Sequence, residues 1–448
     1  MTQSLSDLTQ SLLAAAKNAG ADGADALVVD GTSISIDVLD GKLEHAERAE
    51  GIDIGLRVLV GQRQACVSAS DSGADTITTM AERAVAMARA APEDVTIGLA
   101  TPGQLAQDLD AAALELVDPA DEPAPAKLQE TALRAEAAAL AIAGVSKVDS
   151  SSAGYGHRRI HLAASNGFSA GFARTDCGLS CVAITGSGGD MERDYCGEGR
   201  VFQADLPTPE DIGRIAGERT AARAGARKPR TGAFPVLFDE RIAAALIGHL
   251  LAAINGTAIA RGASWARDLL GQQVLPKNLS IIEDPRRPRI AGSRLFDFEG
   301  LAAARRAIVD DGVLTGWTLD LATARKLGLR STANAARGTS APPSPSIGNI
   351  ALTQGSASRD DLIRDMGTGL LVTSMMGSSI NPTTGDYSRG ASGFWVENGQ
   401  ITYPVNECTI AGNLRDMLKT ITPANDARSH LSRVVPSLLV QGLTLAGE

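Results

Sequence analysis

Thr373-Ser-Met-Met-Gly-Ser-Ser-Ile-Asn-Pro-Thr-Thr-Gly-Asp-Tyr-Ser-Arg-Gly-Ala-Ser-Gly-Phe-Trp-Val-Glu-Asn-Gly-Gln-Ile-Thr-Tyr-Pro-Val405 carries the strongest structural signal in this chain. Gly, Ser and Asn dominate its first half, which predicts a polar loop. A short aromatic strand follows, and Asn398-Gly399 is the dipeptide that closes two-residue hairpins, because both turn positions demand a positive φ. A second strand runs to Val405, so the segment reads as a polar loop held by a rigid hairpin.

Working back from this hairpin, the polarity changes at Lys228-Pro-Arg-Thr-Gly232, where a new unit starts with a strand at Phe234–Phe238. The helix expected from Glu240 to about Ala260 is apolar around much of its circumference, the mark of a buried helix. Ile308-Val-Asp-Asp-Gly-Val-Leu314 predicts another hairpin, and Ala341-Pro-Pro-Ser-Pro345 an extended connector. Residues 228–448 are therefore expected to form a largely antiparallel β domain around one buried helix.

The first half has a different rhythm. Ser4 with Asp7 predicts a capping box, and Leu5, Leu8, Leu12 and Ala16 repeat at helical spacing up to Gly20. Strands are expected at Ala24–Asp30, Ser33–Leu39, Gly51–Val60 and Arg63–Ala69, with turns at Asp30-Gly31 and Asp40-Gly41, then a helix over about 74–90. Prolines punctuate 92–125, which reads as a linker or irregular excursion. Beyond it the pattern recurs: a helix near 126–143, strands between Val145 and Phe202, and a helix near 209–226. The expected class is α+β, with helix–β-meander–helix units at about 1–91 and 126–227 joined by 92–125, and a domain boundary near Arg227.

Composition narrows the function classes. The chain has 448 residues, 44% of them hydrophobic, enough for two packed cores, so two or three domains are expected. A net charge of −10 without any long basic run argues against nucleic acid as a partner. Five irregularly spaced cysteines do not make a disulfide framework and suit a reducing compartment. The opening Met1-Thr-Gln-Ser-Leu-Ser-Asp7 lacks a basic and apolar leader pattern, and no long apolar run predicts a membrane span, so a cytoplasmic location is expected.

The hairpin segment also resembles the C-terminal signature of the TldD/PmbA family of intracellular peptidase subunits. Further marks are Ser331-Thr-Ala-Asn-Ala-Ala-Arg337, Ile347-Gly-Asn-Ile350, Gly377-Ser-Ser-Ile-Asn381, Tyr387-Ser-Arg-Gly390 and Thr409-Ile-Ala-Gly-Asn-Leu414. In the family's metal-binding subunits, the resemblance implies His-Glu-x-x-x-His on the buried helix and a later cysteine, two imidazoles and a thiolate that hold Zn²⁺ while the glutamate activates its water. Here that helix reads Arg241-Ile-Ala-Ala-Ala-Leu-Ile-Gly-His-Leu-Leu-Ala-Ala-Ile-Asn255. Ala244 and Ile254 stand five residues either side of His249, and Ala245 and Ala253 stand four either side, so no second imidazole joins it. The cysteine position falls on Met375, a neutral thioether suited to Cu(I) rather than to zinc. The resemblance is thus to the metal-free PmbA/TldE branch, with no metal ligand or catalytic residue assigned in this chain.

Other patterns carry competing readings. Gly167-Phe-Ser-Ala-Gly171 matches a nucleophile elbow, but strand-like sequence follows where the elbow needs a helix, so Ser169 is not assigned a catalytic role. His157 and His161 lie near Cys177, Cys181 and Cys196 in sequence. On an extended strand residues four apart stand about 13 Å apart, too far to share an ion. Thr185-Gly-Ser-Gly-Gly-Asp190 opens no helix and reads as a turn rather than a phosphate cradle.

The resemblance implies the non-catalytic subunit of a heteromeric metallopeptidase, a hydrolase that degrades or matures unfolded peptides. A TldD-like partner would supply zinc, leaving no cofactor in this chain. Peptide binding is expected on a groove whose candidates are Met375, Met376, Asn381, Trp395 and Asn413, with a strand edge at Gly393–Val405. Met375 and Met376 are equally readable as core filling, and His249 as a core or interface histidine. The alternatives are a peptidase active alone, a regulatory protein-binding factor of the gyrase-modulator kind, and a scaffold that protects a modified peptide.

Overall fold

The structure, a computed structural model, describes residues 4–447, excepting the side chain of Ser378. Met1–Gln3 of the opening stretch lie outside it.

α1 (Leu5–Asn18) begins where Ser4 and Asp7 close the expected capping box, the Ser4 hydroxyl accepting from the Asp7 N–H at 3.1 Å. β1 (Gly23–Leu39), β2 (Lys42–Val60) and β3 (Arg63–Ala69) then form an antiparallel meander, closed by α2 (Ala74–Ala90). The same order recurs in α3 (Pro125–Leu140), β4 (Val145–Ala164), β5 (Ser169–Thr185), β6 (Glu192–Arg200) and α4 (Pro209–Ala221). β1 and β4 pair antiparallel from Asp25↔Ala164 to Val38↔Ser151. The two helix–meander–helix units thereby share one six-stranded sheet, in the order β3-β2-β1-β4-β5-β6.

The period-two alternation of β1 explains how one strand serves three cores. Ala24, Ala26 and Val28 pack with Leu12 of α1 and Ala84 of α2. Further along the same face, Ile34, Ile36 and Val38 pack with Ala132 of α3 and Ile212 of α4. Leu27 faces the other way and meets Leu114, Leu116, Phe168 and Phe296.

One expectation for this half is corrected. Asp30-Gly31 is not a turn, because β1 runs straight through it, with Gly31 opposite both Gly51 and Arg158. Glycine is needed there for close approach: a Cβ would stand 2.3 Å from the His157 carbonyl oxygen. Residues 92–125, expected as a linker or an irregular excursion, are irregular and docked against both halves. Leu114 and Leu116 are buried, the Leu116 carbonyl accepts from the Thr175 N–H at 2.9 Å, and Ala106 N–H donates to the Gly300 carbonyl at 2.8 Å.

The second half starts with β7 (Gly232–Phe238) and α5 (Glu240–Ala253), followed by the short α6 (Gly256–Ala260). The single helix expected over 240–260 is thus broken at Ile254-Asn255. Asn255 caps α6 through its side chain, and the Gly256 N–H turns to the Thr318 carbonyl at 2.8 Å, which takes it out of the helical ladder.

β8 (Ile281–Glu283), β9 (Arg306–Asp310), β10 (Val313–Leu314), α7 (Leu321–Leu327), β11 (Ala335–Ala336), β12 (Ser344–Pro345), β13 (Ile350–Leu352) and α8 (Arg359–Met366) follow. The hairpin at 308–314 is present as β9–β10, and the proline-rich connector is extended, its Ser344–Pro345 paired with Ala335–Ala336. The chain ends with β14 (Gly369–Ile380), β15 (Asp386–Glu397), β16 (Gln400–Asn413), α9 (Leu414–Lys419), β17 (Thr422–Pro423), β18 (Arg433–Val434) and β19 (Leu438–Ala446).

β16-β15-β14-β7-β19 form a largely antiparallel sheet that a β16–β19 pairing closes into a barrel. Asn398 at φ 50° and Gly399 at φ 73° make the predicted two-residue turn between β15 and β16. The polar run that opens this segment is strand up to Ile380, the end of β14, with register shifts between Val372 and Ser374 and between Met376 and Ser379, and only residues 381–385 form a turn. α5 packs into the main core through Ala243, Leu246, Ile247 and Leu250, against Phe238, Val372 and Trp395. No described helix is long and apolar enough to cross a membrane.

Candidate functional site

The histidine-bearing helix is fixed before its histidine is reached. Asp239 caps α5 by accepting from the Arg241 N–H, and Arg241 donates to Asp239 at 3.1 Å and to Asp194 of β6 at 2.9 Å. Arg223, behind α4, binds Glu192 at 3.0 Å and the Ser392 hydroxyl of β15 at 2.9 Å. Charges that are buried need such multiple partners, since a lone one would shift or unfold. The outcome is a helix pinned to both the first sheet and the barrel.

Two turns into α5, the His249 ring stands edge-on to Tyr387, with centroids 5.8 Å apart. Tyr387 is buried, and its hydroxyl donates to Met375 Sδ at 3.3 Å. Arg389, two residues on, donates from Nε to the Gly377 carbonyl at 2.7 Å. Burial first and the Arg389 charge second hold the His249 imidazole below its ordinary range. Burial pushes the Tyr387 phenol up to about 12, against the pull of Arg389. His249 Nε2 is enclosed and has no hydrogen-bond partner among the described residues.

These residues do not fit zinc. A zinc site needs three or four anionic or imidazole donors, and the sulfur nearest to hand is a thioether already engaged by a tyrosine hydroxyl. A guanidinium close enough to depress both neighbouring titrations further disfavours a divalent cation. Among the described residues no group of three or more His, Cys, Asp or Glu side chains is placed to hold a metal.

The other predicted groove residues separate. Met376 is exposed at the β14 bulge, whereas Met375 is half-buried beside Tyr387. Trp395 is a correction: it is fully buried inside the barrel, edge-on to Phe234 and bonded through Nε1 to Glu397 at 3.0 Å, and offers no surface to a groove. Asn381 and Asn413 come together on one turn. Asn381 Oδ1 accepts from the Thr383 and Thr384 N–H groups, and Asn413 Nδ2 donates to the Thr384 carbonyl at 3.1 Å and to Asp386 at 3.0 Å. Both shape the connection between β14 and β15.

Of the edge expected at Gly393–Val405, Gly393–Val396 lie between β14 and β16, and the Arg227 N–H donates to the Pro404 carbonyl while the Asn406 N–H returns to the Arg227 carbonyl; the outer side of Gln400–Tyr403 pairs with no strand among the described residues. The Arg227 guanidinium lies 3.7 Å from the centroid of the Tyr403 ring.

His157 and His161 both lie on β4, and His161 Nδ1 meets Thr9 Oγ1 of α1 at 3.0 Å. Cys181 and Cys196 are cross-strand neighbours in the core under α3 and α4, and Cys177 donates to the Arg200 carbonyl at 3.3 Å.

Sequence reasoning missed the residue at the centre of two quoted motifs. Glu283 is buried on β8 and accepts from Asn334 Nδ2 at 2.8 Å, the Gly348 N–H at 2.9 Å and Arg306 Nε at 2.8 Å. Arg337, the last residue of the first motif, reaches back to Asp25 of β1, which also takes Arg57 Nε at 2.6 Å. The motifs therefore clamp the loops of the second half to each other and to the first sheet. A signal existed in the clustering of Asn and Arg within apolar surroundings, but their acidic partners lie far away in sequence.

The helix that carries His249 lies in the core of the closed sheet and is tied to the six-stranded sheet through Asp194. Over this architecture three family models match: PmbA/TldA metallopeptidase domain 1 over residues 24–88, the central domain over 118–224 and the C-terminal domain over 231–447. The chain is 38% identical to metalloprotease PmbA of Escherichia coli O157:H7, covering 95% of this chain and 93% of that one. It is 36% identical to the metalloprotease PmbA homolog of Haemophilus influenzae, covering 96% and 94%. A Bacteroides thetaiotaomicron protein crystallised as a candidate modulator of DNA gyrase superposes with a TM-score of 0.90 at 27% identity, covering 98% of each chain. TldE from Thermococcus kodakarensis shares the fold, with a TM-score of 0.84 at 18% identity over 98% of this chain and 100% of that one. This chain belongs to the PmbA/TldD metallopeptidase family.

Proposed function

We propose that the chain is the metal-free subunit of a heteromeric zinc peptidase, paired with a TldD-like chain that brings the metal and the catalytic groups. One observation carries the reading: the place beside the α5 histidine is filled by Tyr387 bonded to Met375, with the Arg389 cation alongside. A site of that composition repels a divalent ion and supplies no water-activating carboxylate. The reaction is hydrolysis of unfolded or flexible peptides in the cytoplasm, with this subunit shaping the space around the partner's metal.

The test is coexpression with a TldD-like chain, followed by size determination, metal analysis and a peptide-cleavage assay. The expected result is a mixed assembly holding zinc only in the partner, and cleavage only by the pair. Stoichiometric zinc together with peptide cleavage in this chain alone overturns the reading.

A further inference from the structure

The outer edge of β2 has no neighbouring strand along Lys42–Gly51 among the described residues. β3 joins β2 only from Ile54, opposite Ala69, and residues 42–51 are exposed throughout. An edge of this length presents a row of unpaired N–H and C=O groups spaced for one kind of guest, another extended backbone.

A cleft of about 890 Å³ lies against the inner end of that edge, between the sheet face and the loops at Arg289–Ala291 and His430–Ser432. Its volume falls in the range of ligand pockets. Ala49, Gly51 and Asp53 of β2 line it, and a Cβ built on Gly51 meets nothing within 4 Å. The arginines around it are already paired, Arg158 with Asp176 at 3.2 Å, Arg289 with Glu115 at 2.7 Å and Arg200 with Glu198 at 2.6 Å. Nothing there calls for an anionic ligand.

We propose that the outer edge of β2 from Glu44 to Asp53 binds an extended, neutral or basic polypeptide strand whose alternate side chains enter the cleft. Charge selects this occupant. Glu44, Glu47, Glu50 and Asp53 outweigh Arg48 along the edge, which repels phosphodiesters and acidic peptides. A second copy of the same edge would set these carboxylates against each other across the new strand pair. The inference rests on the peptidase reading for its supply of flexible peptides, but needs neither the partner chain nor zinc.

Fluorescence anisotropy of the purified full chain tests it, with a rhodamine-labelled peptide that alternates threonine with phenylalanine and ends in lysines. Saturable binding is expected, weakened about tenfold or more when alternate peptide nitrogens are methylated, because the donors of the strand pair are then gone. Gly51→Phe should weaken it comparably at an unchanged melting temperature, and Glu47→Lys should weaken it while favouring a glutamate-ended peptide. Absence of saturable binding or indifference to N-methylation overturns the proposal. Either of these results leaves the mixed peptidase standing, whereas zinc and cleavage in the isolated chain would sink that reading and leave the strand site intact.

Discussion

Tyr387 gives its hydroxyl to the sulfur of Met375 across 3.3 Å, and its ring closes over His249 from β15. Three side chains from a helix and two strands are thus committed to one another. The depressed imidazole of His249 has two causes that mutation can separate, burial and the Arg389 charge. Arg389→Gln should raise the His249 pKa, yet leave it below the ordinary histidine range because burial is the larger cause. An NMR pH titration of the imidazole resonances reads this directly.

The same group makes a pH prediction for stability. A histidine whose folded pKa is depressed costs nothing while it is neutral in both states. As pH falls through the unfolded value, the unfolded chain takes up a proton that the folded chain refuses, and stability drops. The denaturation midpoint of the parent relative to His249→Gln should therefore fall between pH 7 and pH 5.

Glu299 shows the opposite dependence. Burial first and Asp297 second push its carboxyl up to about 8. The folded state keeps this proton while the unfolded state loses it above its ordinary carboxylate pKa, so stability declines as pH rises towards 8. Glu299→Gln retains an acceptor for the Leu321 N–H, a bond of 2.8 Å in the parent, and removes the ionisation. Its melting temperature relative to the parent should climb steadily between pH 5 and pH 8.

Asp25 sits between two arginines, Arg57 of β2 and Arg337 of the second half. Removing one member of a buried ionic group costs about 3–5 kcal/mol, since the others lose a partner they cannot exchange for water. Arg337→Met should cost this much in chemical denaturation, and Asp25→Asn should be damaging as well.

α3 and α4 cross at Gly213, where a Cβ would stand 2.0 Å from the Ala135 carbonyl oxygen. Gly213→Val should force the helices apart and lower stability by about 1–3 kcal/mol, as overpacking typically does. Gly51→Val, in open space, provides the matched control in the same melting experiment.

Features written in contiguous residues were legible from the sequence. The Ser4–Asp7 box, the Asn398-Gly399 turn and the repeated helix–meander–helix order all have local causes, a cap, a turn dipeptide and period-two alternation. Gly31 misled because Asp-Gly marks turns in isolation, and only the opposing Gly51 and Arg158 strands show why glycine is used within β1. The break at Asn255 depends on the Thr318 carbonyl, and the burial of Trp395 depends on closure of the barrel by β19. Neither partner lies nearby in the chain. The helix with its one histidine was legible from the residues and the Met375 position through the family resemblance, while Tyr387 and Arg389, which define the chemistry, lie on β15, far from that helix in sequence.

The salt bridge from Arg241 to Asp194 ties the barrel's buried helix to the six-stranded sheet. The helix that carries His249 thus takes its N-terminal anchorage from β6 as well as from its own cap, Asp239.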